Sequence, residues 1–380
     1  MKYQIKPATP RQAPEIARLI MEAMDEDCCR NFAGPHHTLA DFHRMLMRLV
    51  AMDHSQYSYR NTLTAMQGNR IAGIITGYDG KDLRRLRQAF IEAAQTELGQ
   101  DFSGMDDETQ EGEYYIDSLA VRTDCRRQGI ASALLRAFIQ KHGHNQPVGL
   151  LVDLTHPEAE RLYRLAGFMY KGDACWGGHD MRHLQYPAKC AWSLGDKLSE
   201  RYHDTEWGVP EHDDNQLFMW LIMETMSCGL SWKMMLERRE VFRKVFASFD
   251  ASRVACFGED DIKQALHTEG MIRSECKIKG MIANARAFVR IKAEYGSFDC
   301  YIWSFTHGRS LIYPSHQSRE VTCNELSARV AKDLKKRGFC YVGSVIVYSF
   351  LQAIGIINDH KSQCHRYAEL WPACTIVEGE

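Results

Sequence analysis

Two cysteines and two histidines constrain this chain more than any other feature: Cys190 and His203, thirteen positions apart, and His360 and Cys364, four apart near the far end. Thiolate and neutral imidazole in a two-plus-two set fill all four positions of a tetrahedral zinc ion and leave none for water, so the pattern predicts a closed, structural metal site. Such a site pairs the two ends of one segment through the metal. The chain holds 13 Cys and 16 His, so spacing alone carries limited weight and the surrounding residues decide. An odd number of cysteines, with no basic region, apolar run and cleavage site at the start, predicts reduced thiols and a cytoplasmic protein. No stretch approaches ~18 apolar residues, which argues against a membrane span.

A chain of 380 residues is long enough for two domains with separate cores. In the first half, Tyr3 and Ile5 alternate as a short strand, and Ile16, Leu19, Ile20 and Ala23 recur at helical spacing after Pro14. Strands at 63–64 and 71–75 flank Gly68-Asn69 as a hairpin. A charged amphipathic helix is expected over 81–98 and an acidic loop over 103–112. A strand at 114–121, a helix at 129–142, a strand at 148–154 and a helix at 158–166 complete an α/β pattern. After residue 190 the pattern is helical, over 216–225, 231–246, 260–266, 276–295, 324–337 and 342–357. The change predicts an α/β domain over 1–186 and an all-α domain over 187–380, joined at 187–189.

In the first domain, Arg126-Arg127-Gln128-Gly129-Ile130-Ala131 lies between a strand and an apolar-periodic helix, where glycine permits close backbone approach and helix N-terminal amides bind a pyrophosphate. With HPEAERLYRLAGF at 156–168, it resembles the GNAT family of acyl-CoA-dependent N-acetyltransferases. The resemblance implies acetyl-CoA as cosubstrate. Backbone around Leu119 and Val121 would hold the pantetheine arm. The turn from Arg126 through Arg127, Gln128, Gly129, Ile130, Ala131 and Ser132 would hold the pyrophosphate, and Tyr163 would be the acid toward the leaving thiolate. His156 stands where the family often has Asn. Glu113 or Asp117, beside the central strand, is the candidate base toward an unidentified amine acceptor.

In the second domain the blocks CAW at 190, YHDTEWGVP at 202, METMSCGLSW at 223, GMIRSECKIKGMIANARAF at 270, LKKRGFCYVG at 334 and YSFLQAIGIINDHKSQC at 348 follow in order. Together they resemble DNA-3-methyladenine glycosylase I, the Tag-type enzymes of the helix-hairpin-helix superfamily. The resemblance implies base excision from alkylated double-stranded DNA, which requires the damaged nucleotide to be rotated out of the duplex into an aromatic pocket. Trp192, Tyr202, Trp207 and Trp232 match the pocket positions, and Glu224 the carboxylate that recognises the base. Leu230 is the candidate wedge, Arg273 lies in the candidate hairpin from Gly270 to Cys276, and Lys335, Lys336 and Arg337 are candidate phosphate contacts. N3-alkylation already weakens the glycosidic bond, so Glu224 is assigned recognition and electrostatic stabilisation and Asp299 is not taken as a nucleophile. Basic and acidic residues are equal in number from 187 onward, so DNA binding must use a local positive face.

The whole reads as a glycosylase fused to an acetyltransferase, with zinc and acetyl-CoA as cofactors and with no obligate protein partner. The competing reading is a non-catalytic protein that binds alkylation lesions and carries a CoA-binding regulatory module.

Overall fold

The computed structural model describes residues 3–377, which fall into two compact units divided between Gly195 and Asp196. The backbone N–H of Lys189 donates to the Gly143 carbonyl at 3.0 Å, so the start of the segment expected to open the second domain is held by the first unit.

The first unit runs β1 (Gln4–Pro7), α1 (Ala13–Met24), α2 (Glu26–Ala33), α3 (Leu39–Ala51), β2 (Thr62–Gln67), β3 (Arg70–Asp79), α4 (Leu83–Ala93), β4 (Tyr114–Val121), α5 (Ile130–His142), β5 (Val148–Asp153), α6 (Pro157–Leu165), β6 (Met169–Trp176) and β7 (His179–Tyr186). The strands form one sheet in the order β1-β2-β3-β4-β5-β7-β6. Adjacent β3 residues alternate between its faces: Ile74 packs with Ile16, Phe42 and Phe90 of the helices on one side, Ile75 with Leu134 and Phe138 of α5 on the other. Gly77 is required where α5 crosses, because a Cβ there would stand 2.3 Å from the Tyr115 carbonyl oxygen. The β4–β5 pair is parallel and lasts two residues, Tyr114 with Val148 and Tyr115 with Gly149. Beyond them the strands diverge, opening the sheet at the C-terminal end of β4.

Most expected elements of this unit are present within a residue or two. The expected 81–98 helix is a single turn, then α4, then a π-turn ending at Gly99 in the left-handed region. The 103–112 stretch has no regular structure, yet Glu108 and Thr109 within it are buried. Helices α2 and α3 and the β6–β7 hairpin were not read from sequence. Strand β6 exposes most of its residues and has no apolar alternation to detect.

The second unit consists of α7 (Lys197–Thr205), α8 (Asp214–Met226), α9 (Trp232–Glu237), α10 (Arg239–Val245), α11 (Ala251–Ala255), α12 (Glu259–His267), α13 (Glu275–Tyr295), α14 (Phe298–Ser304), α15 (Glu325–Lys336), α16 (Ser344–Ala353) and α17 (His365–Leu370), with a short parallel pair β8 (Ser310–Ile312) and β9 (Cys374–Ile376). Helix α8 is the axis: every residue from Leu217 to Met226 is buried, as expected of a helix apolar on all sides. Phe218 meets Phe288 of α13 with ring centroids 5.0 Å apart. The helix expected over 231–246 breaks at Arg238, whose Nε donates to the Gly270 carbonyl at 2.8 Å. No helix among the described residues is long and apolar enough to cross a membrane.

Candidate functional sites

Helix α7 carries His203, and Asp196 starts that helix by accepting hydrogen bonds from the backbone N–H groups of Leu198 and Ser199. Cys364 caps α17, with His360 one short turn earlier. These residues and Cys190, on the segment leading into the second unit, are all buried, and their ligand atoms lie within 4.8 Å of one another. Cys364 Sγ is 3.3 Å from His203 Nε2 and 3.6 Å from His360 Nδ1. The other ring nitrogens are engaged: His203 Nδ1 lies 2.8 Å from Asp204 Oδ1, and His360 Nε2 lies 3.1 Å from the Trp207 carbonyl oxygen. Protons placed on those outer nitrogens leave the inner lone pairs facing the thiols, which is how outer-shell bonds prepare histidine ligands. Gly208 sits in the left-handed region at φ +78°, and a Cβ there would stand 3.0 Å from His360 Nε2. The donor set, its burial and its paired orientation fit a metal ion.

A second constellation gathers on α7, α8 and α9. The Tyr202 ring lies 5.4 Å from both Trp220 and Trp232, and the two indoles are 6.3 Å apart. Glu224, one turn beyond Trp220 on α8, is close enough to Tyr202 to raise its pKa. Glu224 is buried, and among the described residues no hydrogen bond or ion pair reaches its carboxyl oxygens. Burial alone pushes that carboxyl up to about 8. The Trp232 Nε1 is also buried with no hydrogen-bond partner among the described residues. Arg239 stacks over Trp220 at 4.9 Å and is held there by Glu206 at 2.6 Å. The result is an aromatic cluster with an acid and an indole donor that have no partner among the described residues, a set of groups suited to a flat cation.

Three of the four expected aromatic pocket residues fall in these two places. Tyr202 and Trp232 belong to the aromatic cluster. Trp207 packs its ring 4.4 Å from His360, beside the cysteine–histidine cluster. Trp192 lies on the segment before the second unit and is 44% exposed. Sequence reasoning missed Trp220; its four-residue spacing from Glu224 was a signal, but one lost in a helix apolar all round.

Leu230 is partly buried in the turn after α8, and Lys277 pins that turn by donating to the Met226 and Cys228 carbonyls, both at 2.8 Å. Arg273 is exposed just before α13. Lys335 and Lys336 are exposed, whereas Arg337 is tied to Glu294 and Asp333, each at 2.7 Å. Asp299 pairs with His212 at 2.8 Å.

In the first unit a cavity of about 390 Å³ opens where β4 and β5 diverge. Leu119 and Val121 line it from β4, and Arg126, Arg127, Gly129, Ile130, Ala131 and Ser132 from the turn into α5. Gln128 instead receives a hydrogen bond from Gln67 at 3.3 Å. Gly129 caps α5 at φ +76°, and nothing lies within 4 Å of where its Cβ would be. Open space therefore faces the first-turn N–H groups, which a helix leaves without intrahelical partners. Tyr163 reaches the same cavity from α6, and burial pushes its hydroxyl up to about 12, so it stays protonated. His156 precedes α6, its N–H bonded to the Asp153 carbonyl at 3.0 Å.

The two candidate bases differ. Burial raises the Glu113 pKa, but hydrogen bonds from His183, Thr109 and Gln185 outweigh that effect and hold it below the usual range. Asp117 is raised, to about 6, chiefly by burial.

Residues 192–367 match the methyladenine glycosylase family model, and residues 21–168 match that of the acetyltransferase (GNAT) family. DNA-3-methyladenine glycosylase 1 of Escherichia coli (strain K12) is 39% identical over 180 residues, which is 47% of this chain and 96% of that protein. A crystal structure of 3-methyladenine DNA glycosylase I (TAG) is 41% identical, with 47% of this chain and 98% of that one covered and a TM-score of 0.45. A crystal structure of an acetyltransferase is 26% identical, with 49% and 100% covered and a TM-score of 0.42. Because it spans nearly the whole length of a glycosylase at that identity, with the acetyltransferase match ahead of it, the chain belongs to the methyladenine glycosylase family and joins a GNAT segment to it.

Proposed function

We propose that the second unit hydrolyses the N-glycosidic bond of 3-methyladenine in alkylated DNA, and that the first transfers an acetyl group from acetyl-CoA to an amine. The observation that carries the first part is Glu224: a buried carboxyl with no partner among the described residues, in a cluster with three aromatic rings. A cationic base received beside these rings supplies the missing charge. It draws the Glu224 proton off, stacks on Tyr202 and Trp232, and places its exocyclic amine against the carboxylate. The bond from C1′ to the base then breaks with its electron pair going to the ring, which leaves as a neutral molecule. Water adds to the sugar cation and loses a proton, leaving an abasic site. Glu224 stabilises the positive charge as it moves toward the sugar, which is electrostatic help from a group already in place.

Outside the aromatic cluster, exposed Arg273, Lys335 and Lys336 supply phosphate contacts, and Leu230 fills the space the rotated base vacates. Zinc bound by Cys190, His203, His360 and Cys364 would be structural, because four protein ligands leave no position for an activated water. With that role the working domain begins at residue 187, ahead of the break in packing, and the reduced thiols it requires support a cytoplasmic protein.

For the first unit the support is the cavity between β4 and α5, with a glycine-capped helix N-terminus at one side and protonated Tyr163 at the other. The amides receive the pyrophosphate, and Tyr163 donates to the departing thiolate. Release of 3-methyladenine from methylated duplex DNA by purified protein tests the glycosylase; binding of the duplex without release would instead favour a lesion-binding protein. Calorimetry with acetyl-CoA tests the other unit, and no measurable affinity would remove that assignment.

A further inference from the structure

Asp117 stands where two irregularities of the sheet coincide. Against β3, pairing steps from Thr76 with Ser118 to Gly77 with Ile116, so Asp117 is an extra residue bulged out of the β4 ladder. Toward β5, pairing has already ended at Tyr115 with Gly149. A bulge re-aims the side chain it carries, here at the opening between separating strands. Gln56, Tyr57, Tyr78, Tyr115 and Ser118 are all buried, while Asp117 keeps part of its surface accessible. Ser118 Oγ donates to Asp117 Oδ2 at 2.7 Å, and the Gln56 amide also hydrogen-bonds this carboxylate.

Gln56 is 3% exposed, yet its Oε1 has no hydrogen-bond partner among the described residues. An amide oxygen buried without a donor is unfavourable and calls for an explanation. A ligand that brings its own N–H groups gives one. The charge nearby has the matching sign. Arg87, the cation facing Asp117, is engaged by Glu108 and by Asp107 at 3.1 Å, so carboxylates outnumber it three to one.

We propose that the opening between β4 and β5 beside Asp117 is the acceptor site of the acetyl transfer, that it takes a primary alkylammonium bearing no carboxylate, and that Asp117 receives its proton while Gln56 Oε1 orients it. The inference rests on the acetyl-CoA reading of the adjoining cavity. The ammonium gives one proton to Asp117. The freed nitrogen attacks the thioester carbonyl carbon, the C–S bond breaks with its electron pair on sulfur, and Tyr163 protonates the thiolate. The nitrogen loses its second proton, which restores Tyr163 through solvent, and Asp117 returns its own to water. The products are an N-alkylacetamide, CoA thiol and one proton. The groups facing Asp117 are Arg87 of α4, Cys28 of α2, Tyr57 before β2, Tyr78 of β3 and Tyr115 of β4. Burial holds the thiol and the three phenols neutral at pH 7, the thiol pushed up to about 12 and the phenols well above their usual value. Asp117 therefore titrates alone among them, and turnover is lost as pH falls through about 6.

The test uses the full chain and acetyl-CoA, following thiol release with 1,4-diaminobutane, 2-phenylethylamine and phenylalanine, the last adding only a carboxylate to the second. Both amines should be acetylated with kcat/KM roughly tenfold or more above phenylalanine. Asp117→Asn should lower kcat roughly a hundredfold, the scale of general-base loss, keep acetyl-CoA affinity by calorimetry, and abolish the inflection near pH 6. Gln56→Leu should raise the KM for amine with kcat little changed. If Asp117→Asn fails to fold, the amine panel on native protein and Gln56→Leu still decide. The proposal is overturned if phenylalanine is the better acceptor, if Asp117→Asn retains native kcat and its pH inflection, or if acetyl-CoA binds but neither amine is acetylated. Absence of acetyl-CoA binding overturns the cavity reading itself, and this inference with it.

Discussion

Glu224 occupies its place against its own solvation. Its folded pKa of about 8 lies above the ordinary 4.5, so between those values the folded protein keeps a proton that the unfolded chain has lost. Stability therefore falls as pH rises across that window. Glu224→Gln removes the titration at nearly constant size. The variant should be more stable than the parent at pH 8 by on the order of 2–4 kcal/mol, the gain vanishing toward pH 4.5. Urea unfolding at both pH values measures this, and equal stability throughout would falsify the buried, unpaired description. The same change removes the anionic acceptor from the cationic base. Excision should fall by one to two decades, about 1.5–3 kcal/mol, in single-turnover release of 3-methyladenine, with circular dichroism unchanged. Glu224 and Trp232 were legible because METMSCGLSW carries both. That Trp207 sits at the cysteine–histidine cluster and Trp220 beside Tyr202 and Trp232 was not, since a tryptophan in an apolar helix looks the same whichever face receives a ligand.

Helix α5 shows how an element delivers a site. Its cap needs a left-handed residue, and its first turn faces open space, so the sequence RRQGIA places both the geometry and the amides. Gly129→Val should destabilise the first unit by roughly 1–2 kcal/mol through backbone strain. It should weaken acetyl-CoA binding roughly tenfold or more by placing two methyls over the amides, with Gly129→Ala intermediate. Calorimetry and thermal melts separate the two effects; unchanged affinity in a folded Gly129→Val protein would move the pyrophosphate elsewhere. Elements with a periodic apolar face were the ones visible in sequence. Helix α3 had such a face in Phe42, Met45, Leu46 and Leu49 behind a Thr38–Asp41 capping box, and was readable in principle. Strands β6 and β7 were not: β6 is an edge strand that exposes most of its residues, and β7, between β5 and β6, interrupts its apolar residues with His179, Asp180, Arg182 and His183, so neither carries an apolar alternation.

At the scale of the molecule, packing and ligand chemistry divide the chain at different points. Packing separates it at Gly195, whereas the cysteine–histidine cluster reaches back to Cys190. A fragment starting at Pro187 should purify with stoichiometric zinc, and one starting at Asp196, lacking Cys190, should lose it to a mild chelator. Stripping the metal from the longer fragment should lower its Tm markedly, because ligand burial and folding are linked. Metal analysis of both fragments checks this, and equal zinc content would remove Cys190 from the set.

Ordered motifs determined by themselves that the chain pairs an α/β half with a helical half, and they named four buried cysteines and histidines whose ligand atoms lie within 4.8 Å of one another. Ligand identity and glycine positions survive in one dimension because each is a local chemical requirement. Only the tertiary structure decided the rest. It engaged Arg337 with Glu294 and Asp333, left Glu224 without a partner among the described residues, and separated Glu113 from Asp117 by their surroundings. The reason is physical: a side chain's charge state and availability depend on what burial removes and what neighbours return, and those neighbours lie tens of residues away in sequence.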